Sequence, residues 1–540
     1  MTKTPSDVDT AVENTNVPNQ AKTQVIQAAG IVGAATLVSR LLGLVRTMVI
    51  TAYLGLELEA SAFTAANTFP EAIFYIVAGG AIGSAFIPTF TAYFVRNDDE
   101  GGWHLFSAVI NLITLAVTVL AIIVMIFAPQ LITLFLPKAV KEPAFLPLTV
   151  RLMRIMLLSS IIFGASGVIM GALQARQHFL LPALAPIIYN LGIISGAVIG
   201  AHTVLGTATG MAIGTVVGAL GHLLIQLPGL KLKEARYTAV FTLRDPGVRR
   251  VLKLMSPRVL GLSFSQINSF ITLFLSGLIT LESVAAARYA LAIMLMPQGM
   301  LGQALGIAAF PTMSTLAAQS AWDEMRRIIS DSLRLLLFLA LPAAALLMLL
   351  GRPLITVLFQ RGRFEAQNAE LVAWALLFYA IGLVALVSLE VIARAFYALG
   401  DTMTPVLAGG AQILAMVALS PWLIRSVFPS FGWHPLGGLA LGFSLSNFVE
   451  VAALLLLLRR KMGRLNGRSL LDGLWRMGLA TLLMSGMIWA ILAWLSKSSA
   501  LGQIVLGGLA GGIVYVLSCW VLQVAEIQQF WGYGRRFLRR

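Results

Sequence analysis

Two arginines lie inside the first long apolar segment of the chain, Arg40 and Arg46. A charge within a membrane span is costly, so such residues usually face a protein interior or a water-filled cavity and carry function. Six residues separate the two positions by about 120° around a helix and about 9 Å along it. They therefore flank one cavity, or one of them extends towards the membrane surface; for Arg40, which lies further from the segment ends, we favour the cavity. The chemistry that they offer is the binding of an anionic group.

Three further polar residues belong to this candidate substrate-binding set. Glu71 follows a proline in the second apolar segment, where the lost backbone hydrogen bond often bends a helix beside a cavity. Asn67 lies one turn earlier, and Arg288 lies in the eighth segment. Two arrangements are open. Glu71 and Arg288 face each other across a central space, or Glu71 forms a structural ion pair with an arginine of the first segment.

A second charged pair lies in the tenth apolar segment. Glu390 and Arg394 are four residues apart, so they can pair on one face of a helix. We predict a structural or gating pair here, because such neighbours more often stabilise their own helix than bind a ligand.

The composition shows which elements must position these charges. The chain has 540 residues, is 58% hydrophobic and only 11% charged, and its mean hydropathy is +0.87. Apolar stretches of about 20 residues, the length that crosses a bilayer as a helix, recur from Val25 to Leu522. We predict an all-α polytopic membrane protein with about fourteen spans, at 25–53, 60–95, 103–128, 148–172, 180–203, 206–228, 251–278, 284–317, 330–351, 368–397, 404–426, 437–459, 472–496 and 500–523.

Several classes of site are absent from the sequence. The one cysteine, Cys519, excludes an intrachain disulfide and a thiolate metal site, and the five histidines form no metal-binding pattern. No glycine-rich phosphate loop of the ATPase type is present. We therefore expect no catalytic site, no metal and no cofactor, with transport driven by a gradient, the membrane potential or removal of substrate. The coupling ion is not identified.

The basic residues cluster in loops on one side of the predicted spans. The net charge is +15, and the loops around 231–250, 326–327 and 459–468 are basic, as is the end of the chain. Lysine and arginine are enriched in cytoplasmic loops, so both termini are predicted to be cytoplasmic. This distribution fits a membrane surface, and we expect no nucleic acid partner.

The chain also repeats itself loosely. Pro88 and Pro311 lie in similar motifs 223 residues apart, as do Pro182 and Pro405, although chance matches occur in apolar sequence. A repeat of six spans preserves orientation and predicts two parallel lobes with the substrate between them. The predicted organisation is a disordered cytoplasmic tail (1–24), an N-terminal lobe (25–228), a basic cytoplasmic loop (229–250), a C-terminal lobe (251–461), two extra helices (462–524) and a basic cytoplasmic tail (525–540).

Motifs along most of the chain resemble those of the MurJ/MviN family of bacterial lipid II flippases. The most specific is Ala393-Arg394-Ala395-Phe396-Tyr397-Ala398-x-x-Asp401-Thr402-x-Thr404-Pro405-Val406. Others are Arg40-x-x-Gly43-x-x-Arg46, Ala85-Phe86-Ile87-Pro88, Phe179-x-x-Pro182-Ala183-x-Ala185-Pro186-x-x-x-Asn190, Met255-x-Pro257-x-x-Leu260-Gly261, Pro297-x-Gly299-x-Leu301-Gly302 and Phe359-Gln360-x-Gly362-x-Phe364.

The resemblance implies a central cavity between two six-helix lobes, with two C-terminal helices offering a groove to a lipid tail. It implies transfer of the undecaprenyl-pyrophosphate-linked peptidoglycan precursor from the inner to the outer leaflet of the bacterial cytoplasmic membrane. Arg40, Arg46 and Arg288 would meet the pyrophosphate, with Glu71 as their counter-charge. Cell-wall synthesis enzymes are possible protein partners.

The chain departs from the family at several charged positions. Neutral residues stand where members of the family carry charges: Thr47, Ser61, Phe74-Tyr75, Gly79 and Leu291-Ala292. The motifs as a whole make a lipid II flippase that works by alternating access the leading hypothesis. Because of the departures, two alternatives stay open: an exporter of another lipid-linked glycan or an amphiphilic drug on the same scaffold, and a non-transporting scaffold that recruits cell-wall enzymes.

Overall fold

The protein is almost entirely helical in the computed structural model, which describes residues 17–77, 82–138, 142–463 and 467–527. No β-strand occurs among these residues. The first lobe contains α1 (Val17–Leu54), α2 (Leu58–Val77), a π-helical segment (Ile82–Phe86) that runs into α3 (Ile87–Val95), α4 (Asp99–Ile126), α5 (Ala128–Phe135), α6 (Phe145–Ala175), α7 (Leu180–Ala201), α8 (Thr207–Leu224) and α9 (Leu227–Leu232).

The rest of the chain forms a second lobe and a terminal helix pair. The second lobe contains α10 (Pro246–Gly277), α11 (Leu281–Ala318), α12 (Trp322–Phe359), α13 (Ala366–Ala398), α14 (Met403–Trp422), a π-helical segment (Leu423–Val427), α15 (Phe428–Ser430) and α16 (Leu436–Met462). The terminal pair is α17 (Gly467–Trp494) and α18 (Ala500–Val521).

The predicted all-helical membrane fold is confirmed, with helix at each of the fourteen predicted spans. Within the described residues, 12 helices are long and apolar enough to cross a membrane. The second and seventh predicted spans, around α2 and α10, are outside this set. Both carry polar residues that line an interior cavity, Asn67 and Glu71 in α2 and Gln266 and Ser269 in α10. These two helices therefore contribute polar residues to one cavity, one helix from each lobe.

The boundaries differ from the predicted ones in three places. Residues 17–24, predicted in a disordered tail, form the start of α1, and residues 1–16 lie outside the described part. The predicted loop 229–250 contains the end of α9 and the first turn of α10, where Asp245 caps the helix by accepting the Val248 N–H at 2.9 Å. Residues 525–527 are helical, and 528–540 lie outside the described residues.

The two lobes repeat one packing pattern. In the first lobe α6 contacts α2, α4 and α8, while α7 packs against α8 and α1. In the second lobe α13 contacts α11, α12 and α16, while α14 packs against α16 and α10. Each spanning helix of the first lobe thus has its counterpart in the second, six spans later. This arrangement confirms the two parallel six-helix lobes.

Ion pairs and hydrogen bonds gather the basic loops at one end of the helices. Lys461 pairs with Asp401, the Arg326 side chain donates to the carbonyl of Met462 at 2.6 Å, and Arg334 pairs with Glu526 at 2.6 Å. We call this the basic end of the molecule. The other end of the helices, which carries the turns at 55–57, 278–280 and 360–365, is the opposite end.

The terminal helices form a separate apolar cluster with α12. Met477, Met484 and Ile488 of α17 are buried against Tyr515 and Cys519 of α18. The Tyr515 hydroxyl donates to the Phe338 carbonyl of α12 at 2.6 Å. These helices therefore pack on the second lobe, outside the repeat.

Candidate functional site

A cavity of about 360 Å³ lies between the two lobes. Its wall comes from α1, α2 and α7 of the first lobe and from α10 and α11 of the second. The charged residues in the wall are Arg46, Glu71 and Arg288, and Asn67 and Gln266 add amide groups. Four of the five residues in the predicted substrate-binding set therefore line one space.

An ion pair crosses this space between the lobes. Arg288 of α11 donates to Glu71 of α2, whose carboxylate also accepts from the Asn67 amide at 3.4 Å. The Glu71 side chain is 27% exposed and that of Arg288 is 41% exposed, so both still reach the cavity. Of the two arrangements left open by the sequence, the structure has Glu71 facing Arg288.

Arg46 adds an unbalanced positive charge to the wall. Within the described residues it has no carboxylate within ion-pair distance, whereas Glu71 is already paired with Arg288. The wall therefore holds two guanidinium groups and one carboxylate. An anion that enters the cavity would meet a net positive charge, with planar donors suited to phosphate oxygens.

Arg40 lies outside the central cavity, contrary to the expectation from its position in the segment. Its Nη2 donates to Oε1 of Gln303 on α11 at 3.1 Å, and its guanidinium lies over Gly299 of that helix. It borders a smaller pocket of about 260 Å³ with Gln174 and Pro182, near the basic end. The rotation of about 120° between positions 40 and 46 explains why only Arg46 faces the main cavity.

Other contacts join the lobes at the opposite end. The Ser61 hydroxyl donates to the Leu281 carbonyl at 2.6 Å, and Lys138 donates to the Leu278 carbonyl at 2.6 Å. The backbone N–H of Arg363 donates to the Ala52 carbonyl at 2.9 Å. The central cavity thus lies between these contacts and the Arg40–Gln303 contact.

Glu390 and Arg394 form the predicted ion pair along α13 but do not line the central cavity. Glu390 Oε1 also accepts from the Gln298 amide of α11 at 2.9 Å. The Arg394 guanidinium lies against Gly306 of α11, where a side chain in place of the glycine hydrogen would clash with it. The pair therefore ties α13 to α11 inside the second lobe.

Sequence reasoning missed several uncharged residues of the wall, among them Tyr189, Gln266 and Tyr289. Aromatic residues such as Tyr189 and Tyr289 carry no individual signal in an apolar span, so only packing identifies them. The polar amide of Gln266 inside such a span is a signal that could have pointed to it. Four departures from the family pattern do lie in the wall, namely Thr47, Tyr75, Leu291 and Ala292. Gly79, another departure, lies outside the described residues.

A sequence model described as Lipid II flippase MurJ matches residues 50–509. The chain belongs to this family. The family identified from the motifs is thus confirmed, and it is a family of transporters. The probable lipid II flippase MurJ of Buchnera aphidicola subsp. Acyrthosiphon pisum is 28% identical over 431 residues, which cover 80% of this chain and 82% of that relative.

Solved structures show the same fold as this MurJ family member. Lipid II flippase MurJ in an inward closed conformation aligns with a TM-score of 0.75 over 92% of this chain and 99% of its own, at 22% identity. An inward-facing MATE family multidrug resistance transporter of the MOP superfamily aligns with a TM-score of 0.66 over 79% of this chain and 96% of its own, at 17% identity. The latter likeness covers less of this chain.

Proposed function

We propose that this protein moves lipid II, the lipid-linked peptidoglycan precursor, from the inner to the outer leaflet of a bacterial cytoplasmic membrane. Membership of the lipid II flippase MurJ family supports this substrate. Two parallel lobes with a polar cavity between them support alternating access, in which one lobe rocks against the other. The basic loops support an orientation with that end in the cytoplasm.

The observation that carries the proposal is the charge of the cavity wall. Arg46 has no carboxylate partner among the described residues and lies in the same wall as the Glu71–Arg288 pair. A diphosphate would bind Arg46 first and then compete with Glu71 for Arg288. Because Arg288 and Glu71 belong to different lobes, this exchange would couple binding to the contact between the lobes.

Arg40 has a different role in this proposal. Its contact with Gln303 joins α1 to α11 near the basic end. Opening of the cavity towards the cytoplasm would have to break this contact, so we assign Arg40 to closure of that side. Peptidoglycan synthases, which consume the precursor after its transfer, are the protein partners that we expect.

Complementation of a strain depleted of its lipid II flippase tests the proposal. We expect Arg46→Ala and Arg288→Ala to abolish rescue, because each removes a cavity cation, with normal amounts of protein in the membrane. Arg361→Ala is the matched control, since that arginine is exposed at the opposite end and donates to the Val357 carbonyl. Full rescue by Arg46→Ala would refute the assignment.

A second candidate function is export of another lipid-linked glycan or an amphiphilic drug. Tyr75, Leu291 and Ala292 favour it, because they make the cavity wall less charged than the family pattern implies. Failure of the wild-type chain to rescue the depleted strain, together with export of such a compound, would support this alternative. Rescue by the wild-type chain would support lipid II.

A further inference from the structure

A second cavity lies in the C-terminal lobe, at the opposite end of the molecule. It has a volume of about 550 Å³ and lies between α12, α13 and the loop before α16. It shares no lining residue with the central cavity. Nothing in the transport proposal uses it.

The polarity of this cavity changes along the helices that form it. On α13 the first two turns place Gln367, Glu370 and Leu371 in the wall, and the following turns place Trp374 and Leu377 there. The antiparallel α12 matches this order, with Arg352 nearest its end at Phe359. Charged groups therefore lie about 10 Å or less from the helix ends, and most of the apolar groups, Met348, Leu349, Trp374 and Leu377, lie deeper. This is the order of a lipid at the edge of a bilayer, with its headgroup outermost.

Met348 and Leu349 of α12 lie one turn deeper than Arg352 and complete the apolar part of the wall. The loop side is held in place, because the Trp374 indole N–H donates to the His434 carbonyl at 3.0 Å. The Trp433 ring packs edge-on against Trp374 at 5.7 Å between centroids and is 45% exposed. Exposed tryptophan at this depth is typical of the membrane interface.

The charged groups at the mouth of the cavity balance each other. Arg352 Nη2 and Glu370 Oε1 are 3.7 Å apart, and each side chain is 66% exposed, so the pair is loose. Burial lowers the pKa of His434, against an opposing effect of Glu282, and its Nδ1 accepts from the Leu436 N–H. His434 is therefore neutral at neutral pH. The mouth thus offers one cation and one anion side by side.

We propose that this cavity binds a phospholipid with a zwitterionic headgroup that carries a primary ammonium, of the phosphatidylethanolamine type. Glu370 accepts hydrogen bonds from the ammonium, Arg352 donates to the phosphate, and an acyl chain lies on Met348, Leu349, Trp374 and Leu377. A purely anionic headgroup would place its charge beside Glu370. A choline headgroup has no N–H to donate to that carboxylate.

Native mass spectrometry tests the proposal. The protein is purified from nanodiscs that contain equal amounts of phosphatidylethanolamine, phosphatidylcholine and phosphatidylglycerol, and the lipids that it retains are identified. We expect the wild type to retain phosphatidylethanolamine preferentially. Glu370→Gln and Arg352→Ala should each weaken this retention about tenfold, since each removes one charge-assisted hydrogen bond. Glu365→Gln and Arg361→Ala make the same charge changes at the same end, outside the cavity wall, and should retain the lipid as the wild type does.

Two outcomes would overturn the proposal. One is equal retention of phosphatidylethanolamine by the wild type, both cavity variants and both controls. The other is that the wild type preferentially retains phosphatidylglycerol, or the transported precursor, and that Glu370→Gln strengthens this retention. Size-exclusion profiles that match the wild type show that a variant is folded. The result is independent of the proposed transport, which the Arg46→Ala complementation tests separately.

Discussion

At the residue scale, several charges in the membrane spans have partners within the protein. Glu71 and Arg288 lie 217 positions apart in the chain and pair across the two lobes. Glu390 is held by both Arg394 and Gln298. A partly buried charge that loses its partner is costly, so these contacts matter for folding as well as for transport.

Glu71→Gln should lower stability because it leaves Arg288 without its counter-charge. Both side chains keep some exposure, so we expect a modest loss of about 1–2 kcal/mol rather than that of a fully buried pair. Thermal unfolding in detergent measures this effect, with exposed Glu365→Gln as the control. The double variant Glu71→Gln/Arg288→Gln should recover part of the loss. A Glu71→Gln protein as stable as the wild type would show that the pair is not stabilising.

Asp401 explains the most specific motif of the sequence. Its carboxylate accepts from the Thr404 N–H at 2.9 Å and from the Thr404 hydroxyl at 2.6 Å, and it pairs with Lys461. It therefore holds the first turn of α14 and ties it to the end of α16. Burial alone would raise the pKa of Asp401, but the hydrogen bonds from Lys461 and Thr404 outweigh it and lower the pKa from 3.8 to about 2.

The stability that Asp401 contributes should depend on pH in a defined direction. Because its pKa is lowered on folding, the contribution is complete above about pH 4 and is lost as the pH falls towards 2. The difference in unfolding temperature between the wild type and Asp401→Asn should therefore be constant from pH 8 to pH 5 and shrink at lower pH. A difference that instead shrinks between pH 8 and pH 6 would contradict this assignment.

At the element scale, α7 and α8 approach each other through glycines. A Cβ added at Gly196 would lie 2.3 Å from the carbonyl oxygen of Gly210 and 2.8 Å from the Cα of Gly214. Both contacts are with backbone, so no side chain can move aside. Small residues of this kind allow the close packing of membrane helices. α7 also contributes Tyr189 and Ile193 to the central cavity, so its position shapes the site.

Gly196→Ala should therefore separate α7 from α8 and destabilise the protein by about 1–3 kcal/mol, the usual cost of overpacking. Gly512→Ala is the matched control, because a Cβ there meets nothing within 4 Å and the change favours helix. Thermal unfolding of both variants gives the comparison. Equal or higher stability of Gly196→Ala would show that the two helices are not tightly packed.

At the scale of the whole molecule, the repeat places the cavity between two similar lobes. The opposite end is joined by several contacts, including an exposed pair at 3.7 Å between Arg363 and Glu57. The terminal helices pack on α12 of the second lobe. Rocking of the lobes must therefore break contacts at each end in turn.

Locking the lobes should stop transport. In a Cys519→Ala background, Glu57→Cys and Arg363→Cys joined by a short reducible thiol crosslinker would hold the opposite end closed. We expect transport of the precursor to cease on crosslinking and to return on reduction, while each single-cysteine protein remains active under the same treatment. Rescue of a strain depleted of its lipid II flippase that persists with the crosslinked protein would support a role as a non-transporting scaffold.

The sequence alone predicted the helical spans, the repeat, the family and the presence of charged residues inside the membrane, because each depends on local composition or on motifs. Only the tertiary structure showed the partner of Glu71, the exclusion of Arg40 from the central cavity and the second cavity at Arg352 and Glu370. These depend on how helices rotate and pack against segments up to 263 positions away. A hydropathy pattern constrains that rotation weakly in a membrane, where lipid and protein interior are similarly apolar.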